Sequence, residues 1–452
     1  MDPLILNCSS VWLFAAFSIP SYWRAFSALQ YEGVNLSYEA LALSIEKMAE
    51  HLQKEGILKG DRVAFLGTAS TSTVIVFFAL LKLEASPCLL STRTPKEMLP
   101  VLMQRARIAF FLEQENLALT RISWQKSEKR LILLFTSGSS GVPKLACLTF
   151  EQFLLSALSS APFLQLVQEK SRWLLSVPLF HVSGLSILFR SLATGSSILI
   201  APMTHPIASL STHLSLVPTQ LIRLLEMNIE QQFPHLTCLL LGGAPISEDL
   251  FKKGLKRNLP IKVTYGMTET ASQITMTETL DEAKAMHLGK VLPGKQISFT
   301  SEGEILVKGN SLFLGYDQGE EPILPTVGDG WFATGDLGSL STEGNLIYKG
   351  RKDNLFISGG ENIYPEEIEK ALGTIPGVTL SFVLPIEDPE YGMRPIAFVQ
   401  MDTPLPSKEE FQEKLLSKIP KFSLPLHFYP FPKELDKDFK IKRADLKKWV
   451  LS

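Results

Sequence analysis

The chain has 452 residues, of which 45% are hydrophobic and 20% are charged, and its formal net charge is −2. This length exceeds what one hydrophobic core supports and predicts at least two domains, while the near-neutral charge argues against a nucleic-acid partner. No apolar run approaches the length of a transmembrane helix, and Cys8, Cys88, Cys147 and Cys238 show no metal-binding spacing. We therefore expect a cytoplasmic protein without an integral membrane segment, and the sequence leaves a homo-oligomer open.

The first part of the chain alternates between predicted helices and strands. Ser37 is a suitable N-cap for a helix whose apolar residues recur at helical spacing as far as Leu52. A strand over residues 62–67, a helix over 74–83 and a strand over 88–90 follow. This alternation predicts a layered α/β domain with a largely parallel sheet.

A Ser/Gly-rich loop follows a buried strand predicted over residues 131–135, and a second strand-like run covers 144–150. Glycines let the backbone approach a ligand closely, and free N–H and O–H donors beside a lysine suit a phosphate. The spacing is not that of a Walker A loop. An ordinary hairpin loop is the alternative. The candidate phosphate-binding residues are Thr136, Ser137, Gly138, Ser139, Ser140, Gly141 and Lys144.

Four later strands, predicted over residues 173–177, 214–217, 238–241 and 261–264, end in polar or Gly-rich segments. Because ligands bind at the carboxyl ends of strands in open α/β sheets, this pattern predicts a binding site there. The carboxylate of Glu269 at one such end suits Mg²⁺, which prefers oxygen ligands.

From about residue 290 the pattern changes to short strands with Gly turns, which predicts a β-rich subdomain. Beyond residue 350 we expect helices over 365–372 and 408–418, strands near 380–384 and 396–401, and a basic C-terminal helix. We therefore predict a large domain over residues 1–350 and a small one over 351–452.

The motif TSGSSGVPK at residues 136–144 resembles the phosphate-binding loop of the adenylate-forming superfamily. Members of this family join a carboxylate to AMP from ATP and then pass the acyl group to a thiol. YGMTE at 265–269, TGD at 334–336 and GR at 350–351 follow in the family's order. The resemblance implies an α/β fold with a large N-terminal domain of layered sheets, a β-rich subdomain and a small mobile α+β lid. It also implies ATP, Mg²⁺ and CoA as cofactor and co-substrates.

The resemblance implies a role for each matching residue. The nucleotide would contact Gly242, Gly243, Ala244, Tyr265, Gly266, Thr268, Asp336 and Arg351. Tyr265 would face the base, Asp336 the ribose hydroxyls, and Glu269 would hold the metal. Asp353 would be the hinge, and Gly359 and Gly360 would line the CoA channel. Lys440 would touch the carboxylate and the α-phosphate, although Phe439 replaces the family's usual Gly and Lys437 and Lys442 lie nearby.

The candidate acyl-binding residues are His181, Arg190 and Arg223. Both arginines interrupt apolar helical stretches, which favours a substrate with a second anionic group; a helix-surface position is the alternative for each. Residues 173–220 resemble a CoA ligase for an aromatic dicarboxylic acid. Another short-chain or aryl-acid CoA ligase, a carrier-protein-loading adenylation enzyme and a non-catalytic nucleotide-binding relative remain alternatives.

Overall fold

The computed structural model describes residues 25–31, 34–113, 117–123, 130–136, 143–227, 229–278, 287–319, 321–401, 403–435, 441 and 443–450. These residues form four β-sheets with helices packed against them, and the mixed α/β fold confirms the predicted class. No helix in the described part of the chain is both long and apolar enough to span a membrane.

The first elements alternate as predicted, and the first helix begins after Ser37, whose hydroxyl accepts a hydrogen bond from the Ala40 N–H at 3.1 Å. Such a cap satisfies one of the unpaired N–H groups of the first helical turn. The elements in order are β1 (Ser27–Tyr31), β2 (Val34–Ser37), α1 (Tyr38–Lys54), β3 (Arg62–Leu66), α2 (Thr71–Lys82), β4 (Ser86–Leu90), α3 (Leu99–Arg105), β5 (Phe110–Glu113) and β6 (Ala118–Arg121).

The middle of the chain continues this alternation and supplies most strands of a nine-stranded sheet. Its elements are β7 (Ile132–Thr136), β8 (Lys144–Leu148), α4 (Phe150–Ser160), β9 (Arg172–Leu174), α5 (Val182–Thr194), β10 (Ser197–Leu199), β11 (His213–Leu216), α6 (Pro218–Leu225), α7 (Ile229–Gln232), β12 (Cys238–Leu241), α8 (Glu248–Lys256), β13 (Ile261–Met267), β14 (Ser272–Met276) and β15 (Lys290–Val291).

The remaining strands, apart from β18 and β19, form two smaller sheets. The β-rich part contains β16 (Lys295–Phe299), β17 (Glu304–Gly309), β18 (Gly315–Asp317), β19 (Pro322–Ile323), β20 (Thr326–Val327), β21 (Trp331–Leu340) and β22 (Leu346–Arg351). The C-terminal part contains β23 (Phe356–Ser358), β24 (Glu361–Ile363), α9 (Pro365–Leu372), β25 (Val378–Asp388), β26 (Gly392–Met401), α10 (Lys408–Leu416), β27 (Phe428–Pro430) and α11 (Arg443–Lys447).

The two large sheets have parallel centres and antiparallel edges. One runs in the order β19-β18-β8-β7-β4-β3-β5-β6, and the other in the order β15-β14-β13-β12-β11-β9-β10-β1-β2. The nine-stranded sheet is covered on both faces, since Cys238 and Leu240 join the core that includes α5, whereas Leu239 and Leu241 join the core of α6 and α8. Alternate side chains of a strand point to opposite faces, so these helices lie on opposite sides of the sheet.

Two predicted boundaries differ from the structure near residue 180. The strand expected over 173–177 is only β9, and the helix expected over 187–192 already begins at Val182. A Cβ on Gly184 would lie 2.2 Å from the Pro178 carbonyl oxygen. The glycine therefore allows the helix to begin directly against the turn that follows the strand, which no side chain would permit.

The C-terminal elements after residue 355 build their own sheet and their own apolar clusters. The five-stranded antiparallel sheet formed by β16, β17, β20, β21 and β22 precedes them. Strands β18 and β19 leave that part of the chain and extend the eight-stranded sheet through the pairing of β18 with β8. This crossing places Tyr316 next to β8, the strand that begins with Lys144.

Candidate active site

The predicted phosphate loop joins the antiparallel strands β7 and β8, in which Thr136 and Lys144 are register partners. Ser137, Gly138, Ser139, Ser140 and Gly141 lie outside the described residues, as does Lys440. The described residues confirm the two strands expected on either side of the loop, and Lys144 is exposed at the start of β8.

The YGMTE segment turns the chain sharply at the end of β13. A Cβ on Gly266 would lie 1.8 Å from the Ser272 carbonyl oxygen, so only glycine fits where β14 folds back against β13. The antiparallel β14 was not predicted from the sequence. Thr268, Glu269 and Thr270 form a short 3₁₀ turn between the two strands.

Glu269 is 6% exposed, and its Oε1 accepts a hydrogen bond from the Tyr316 hydroxyl at 2.6 Å. Among the described residues we find no hydrogen bond to its Oε2. A buried carboxylate with one oxygen uncommitted fits a hard divalent cation such as Mg²⁺. The sequence did not indicate a role for Tyr316, because Tyr316 lies 47 positions after Glu269 and outside the YGMTE motif.

Asp336 is held between Tyr265 and Arg351. The Tyr265 hydroxyl donates to Oδ2 at 2.7 Å, and Nη1 of Arg351 donates to Oδ1 at 3.0 Å. Burial and the Asp336 charge raise the pKa of Tyr265, which keeps the phenol protonated as a donor. A carboxylate has about four acceptor sites, which makes Asp336 a suitable acceptor for ribose hydroxyls.

The spacing of the TGD and GR motifs has a simple structural origin. Asp336 lies on β21 and Arg351 ends β22, and the two residues are register partners of this antiparallel pair. Gly335 has φ +73°, and a Cβ there would lie 2.9 Å from Nη2 of Arg351. The glycine therefore leaves room for the guanidinium beside Asp336.

The Gly242–Gly243–Ala244 segment follows β12 at the same edge of the sheet. A Cβ on Gly242 would lie 2.8 Å from the Thr264 Cγ2, and Gly243 has φ +79°. Both positions therefore favour glycine, and the segment passes closely over the end of β13. The segment remains the predicted adenine contact.

His181 stands at the N-terminus of α5, with its ring centroid 4.6 Å from that of Phe180. Arg190 lies further along the same helix and is 2% exposed. The same helix therefore positions two of the predicted acyl-binding residues, His181 and Arg190.

Arg190 is a buried cation without a described carboxylate partner. Its Nη1 donates to Oε1 of Gln273 at 2.8 Å, and its Cζ lies 4.4 Å from the ring centroid of Trp173. Its Nε and the Gln273 Nε2 are buried without a hydrogen-bond partner in the described part of the chain. Burial lowers the pKa of Arg190, although a guanidinium still remains charged at neutral pH. Arg190, Gln273 and Trp173 thus form a buried cluster that carries a positive charge and, among the described residues, contains no carboxylate to balance it.

Lys295 adds a second cation to this cluster. Its Nζ donates to the Ser156 Oγ at 3.1 Å and to the Gln273 carbonyl oxygen. Burial, with a smaller contribution from the Arg190 charge, lowers the pKa of Lys295 to about 7. Sequence reasoning identified neither Lys295 nor Gln273 as a partner of Arg190.

The structure does not bring Arg223 to Arg190. Arg223 lies on α6, whose Leu221 and Leu224 pack in the core on one face of the nine-stranded sheet. Arg190 stacks on Trp173, which belongs to the core on the opposite face. The nine-stranded sheet therefore lies between the two helices, and the acyl-binding roles of Arg190 and Arg223 stay predictions.

The predicted hinge lies beside the nucleotide residues. Nη2 of Arg351 is 3.3 Å from Oδ2 of Asp353, and Lys352 pairs with Glu302 and Glu304. Gly359 and Gly360 form the turn between β23 and β24, with φ +57° and +87°. These contacts place Asp353 within reach of Arg351, while the hinge and channel roles stay predictions.

Comparisons with known proteins agree with these motifs. The family model described as AMP-binding enzyme matches residues 23–130 and 113–317. A 2-succinylbenzoate–CoA ligase of Salmonella typhimurium is 35% identical over 445 residues, covering 94% of each chain.

Solved structures resemble the whole chain as well. An E. coli MenE variant with bound OSB-AMS has a TM-score of 0.81 and 31% identity, covering 95% of this chain and 97% of its own. The o-succinylbenzoate coenzyme A synthetase (MenE) of Bacillus subtilis in complex with ATP and magnesium ion has a TM-score of 0.80 and 29% identity, covering 96% and 99%.

Proposed function

Because this chain belongs to the AMP-binding enzyme family, we propose that it is an ATP-dependent ligase for 2-succinylbenzoate and CoA. The products are 2-succinylbenzoyl-CoA, AMP and pyrophosphate, and the reaction serves menaquinone synthesis. The match to a 2-succinylbenzoate–CoA ligase over 94% of both chains supports this assignment.

The reaction has two steps. In the first, a carboxylate oxygen of the substrate attacks the α-phosphorus of ATP, and pyrophosphate leaves with the electron pair of the broken P–O bond. In the second, the sulfur of CoA attacks the acyl carbon, loses its proton, and AMP leaves. Both steps depend on positioning and on the stabilisation of developing negative charge rather than on an enzyme nucleophile.

The proposed nucleotide contacts follow from the geometry at the strand ends. Asp336, oriented by Tyr265 and Arg351, accepts the ribose hydroxyls, and Lys144 with the Ser/Gly loop holds the phosphates. Glu269 holds Mg²⁺, which when bound offsets the charge that moves onto pyrophosphate. By resemblance, Lys440 contacts the carboxylate and the α-phosphate, and His181 contacts the acyl end or closes the pocket.

The choice of acid rests on Arg190 more than on any other single side chain. A buried cation is expensive unless an anion pairs with it, and no described carboxylate does so. The carboxylate of 2-succinylbenzoate that does not become the thioester is a partner of the right charge, directly or through a water. A purely apolar acid would leave Arg190 uncompensated.

We further propose that residues 351–452 act as a lid that turns at Asp353 between the two steps, bringing Gly359 and Gly360 to the CoA channel. A cytoplasmic location fits Cys88, Cys147 and Cys238, which are buried free thiols.

ATP–pyrophosphate exchange tests the proposal directly. Exchange should depend on 2-succinylbenzoate and be much slower with 4-phenyl-4-oxobutanoate, which lacks the second carboxylate. Adding CoA should convert the bound acyl-AMP to thioester. Faster exchange with a different aryl acid or a short-chain acid would favour another CoA ligase of this fold. If none of the acids supports any exchange, a non-catalytic relative would be favoured.

A further inference from the structure

Tyr316 connects the two ends of the phosphate site. It lies on β18, which pairs antiparallel with β8, so that Tyr316 is opposite Ala146 and two positions from Lys144. Its hydroxyl donates to Oε1 of Glu269 on the other large sheet at 2.6 Å. One side chain thus spans the gap between the strand that carries Lys144 and the turn that carries Glu269.

The ring of Tyr316 faces the ammonium group of Lys144. Nζ lies 4.9 Å from the ring centroid, within the range of a cation–π interaction. Phe313 packs edge-on against the same ring at 4.9 Å, and its N–H donates to the Glu269 carbonyl oxygen at 2.7 Å. The ring is therefore held from the side while its face supports the lysine.

The Tyr316 hydroxyl is the donor of this hydrogen bond, because an ordinary phenol is protonated at neutral pH and a carboxylate can only accept. The terminal torsion of a Glu side chain has broad minima and is poorly fixed by sterics alone. A hydrogen bond to Oε1 fixes this torsion and leaves Oε2 for a cation.

We propose that Tyr316 is a positioning residue that sets the Glu269 carboxylate for Mg²⁺ and supports Lys144 for the ATP phosphates. This inference rests on the proposed function, because it takes Glu269 as the metal ligand. Two separate parts of one side chain carry the two effects: the hydroxyl acts on the metal site, and the ring acts on the lysine.

This division can be tested with two substitutions. Tyr316→Phe removes only the hydroxyl and should raise the Mg²⁺ concentration for half-maximal ATP binding roughly tenfold, as expected for the loss of a hydrogen bond to a charged group. At saturating Mg²⁺ its Kd for ATP should stay near native. Tyr316→Leu also removes the ring face, so its Kd for ATP should remain raised even at saturating Mg²⁺.

The assay is calorimetric titration of the full-length protein with ATP at a series of MgCl₂ concentrations, which needs no acid substrate. The matched control is Tyr38→Phe. Tyr38 is also buried, and its hydroxyl donates to the carbonyl oxygens of Ser191 and Ser196, neither of which is a predicted phosphate or metal residue. This control should lose thermal stability and keep the native Mg²⁺ dependence.

A third variant separates this inference from the proposed function. If Glu269→Gln loses the Mg²⁺ dependence of ATP binding while Tyr316→Phe keeps the native dependence, the metal assignment stands and the role of Tyr316 is wrong. If Glu269→Gln keeps the native dependence, Glu269 is not the metal ligand and the inference falls with that assignment. If Tyr316→Phe, like Tyr38→Phe, only loses thermal stability and keeps the native Mg²⁺ dependence, Tyr316 has a purely structural role.

Discussion

Replacing Arg190 with Met tests the link between a buried charge and the choice of acid. Methionine keeps a long flexible side chain and removes the cation. If the second carboxylate of 2-succinylbenzoate compensates Arg190, the variant loses one member of a buried pair, which costs about 2–5 kcal/mol. At about 1.4 kcal/mol per tenfold, kcat/KM should fall by roughly 30-fold to a few thousand-fold.

The same change should have little effect on the stability of the free protein. Within the residues that the structure describes, the buried guanidinium has a hydrogen bond from Nη1 to Gln273 and no partner for Nε, and the native protein carries the cost of this burial. Replacing a buried charge by an apolar side chain is often neutral or stabilising. The loss of the Gln273 contact and of the stacking on Trp173 works in the opposite direction, by about 1–2 kcal/mol each. We therefore expect a net change of about 2 kcal/mol or less, of either sign.

The measurement is pyrophosphate exchange with 2-succinylbenzoate and with 4-phenyl-4-oxobutanoate, together with thermal unfolding of each free protein. Arg190→Met should lose activity selectively toward the dicarboxylic acid. Arg223→Met tests the other candidate arginine in the same assay, because Arg223 lies on α6 and its Nη2 is buried without a hydrogen-bond partner among the described residues. A variant that loses both acids equally and unfolds many degrees lower would show that Arg190 stabilises the fold rather than binding the substrate.

Three further predictions concern other parts of the molecule. Lys440→Ala should abolish acyl-AMP formation yet still transfer a supplied acyl-AMP to CoA, with Lys442→Ala as control; equal loss of both steps would contradict a role confined to adenylation. Asp336→Asn should raise the KM for ATP at least tenfold and leave that for the acid nearly unchanged, since two charge-assisted hydrogen bonds orient Asp336; parallel changes in both constants would argue against a ribose contact. Burial lowers the pKa of His213 from 6.5 to about 4, so the unfolded chain takes up this proton first and stability should decline as the pH falls through that interval. Denaturant unfolding of His213→Gln should show a shallower decline, and an unchanged slope would exclude His213 as its source.

Local sequence patterns predicted helices and strands well where a capping residue or a regular spacing of apolar residues was present. The helix expected over 365–372 is α9, and Ser37 caps α1 as its position suggested. The strand ends that carry Tyr265 and the Gly242 segment lie at one edge of the nine-stranded sheet, as the rule for parallel sheets predicts. These features depend on short-range chemistry, which a sequence displays directly.

The side of a sheet on which a helix packs is not a local property. Arg190 and Arg223 both interrupt apolar helical runs, and helical spacing gives each a position on its own helix. It does not say that α5 and α6 lie on opposite faces of the sheet. Tyr316 was missed for a related reason, because only the crossing of β18 to β8 places it beside Lys144.

Arg351 shows how the nucleotide site and the predicted hinge can work independently. Nη1 binds Asp336 and the Thr334 carbonyl oxygen, whereas Nη2 pairs with Asp353. Asp336 is buried, but the side chain of Asp353 is 50% exposed, and such surface pairs contribute about 1 kcal/mol or less. If the lid turns at Asp353 as proposed, the rotation would break the weak contact to Asp353 and leave the contact to Asp336. The Asp336 carboxylate, which we propose binds the ribose, would then keep its orientation during the movement.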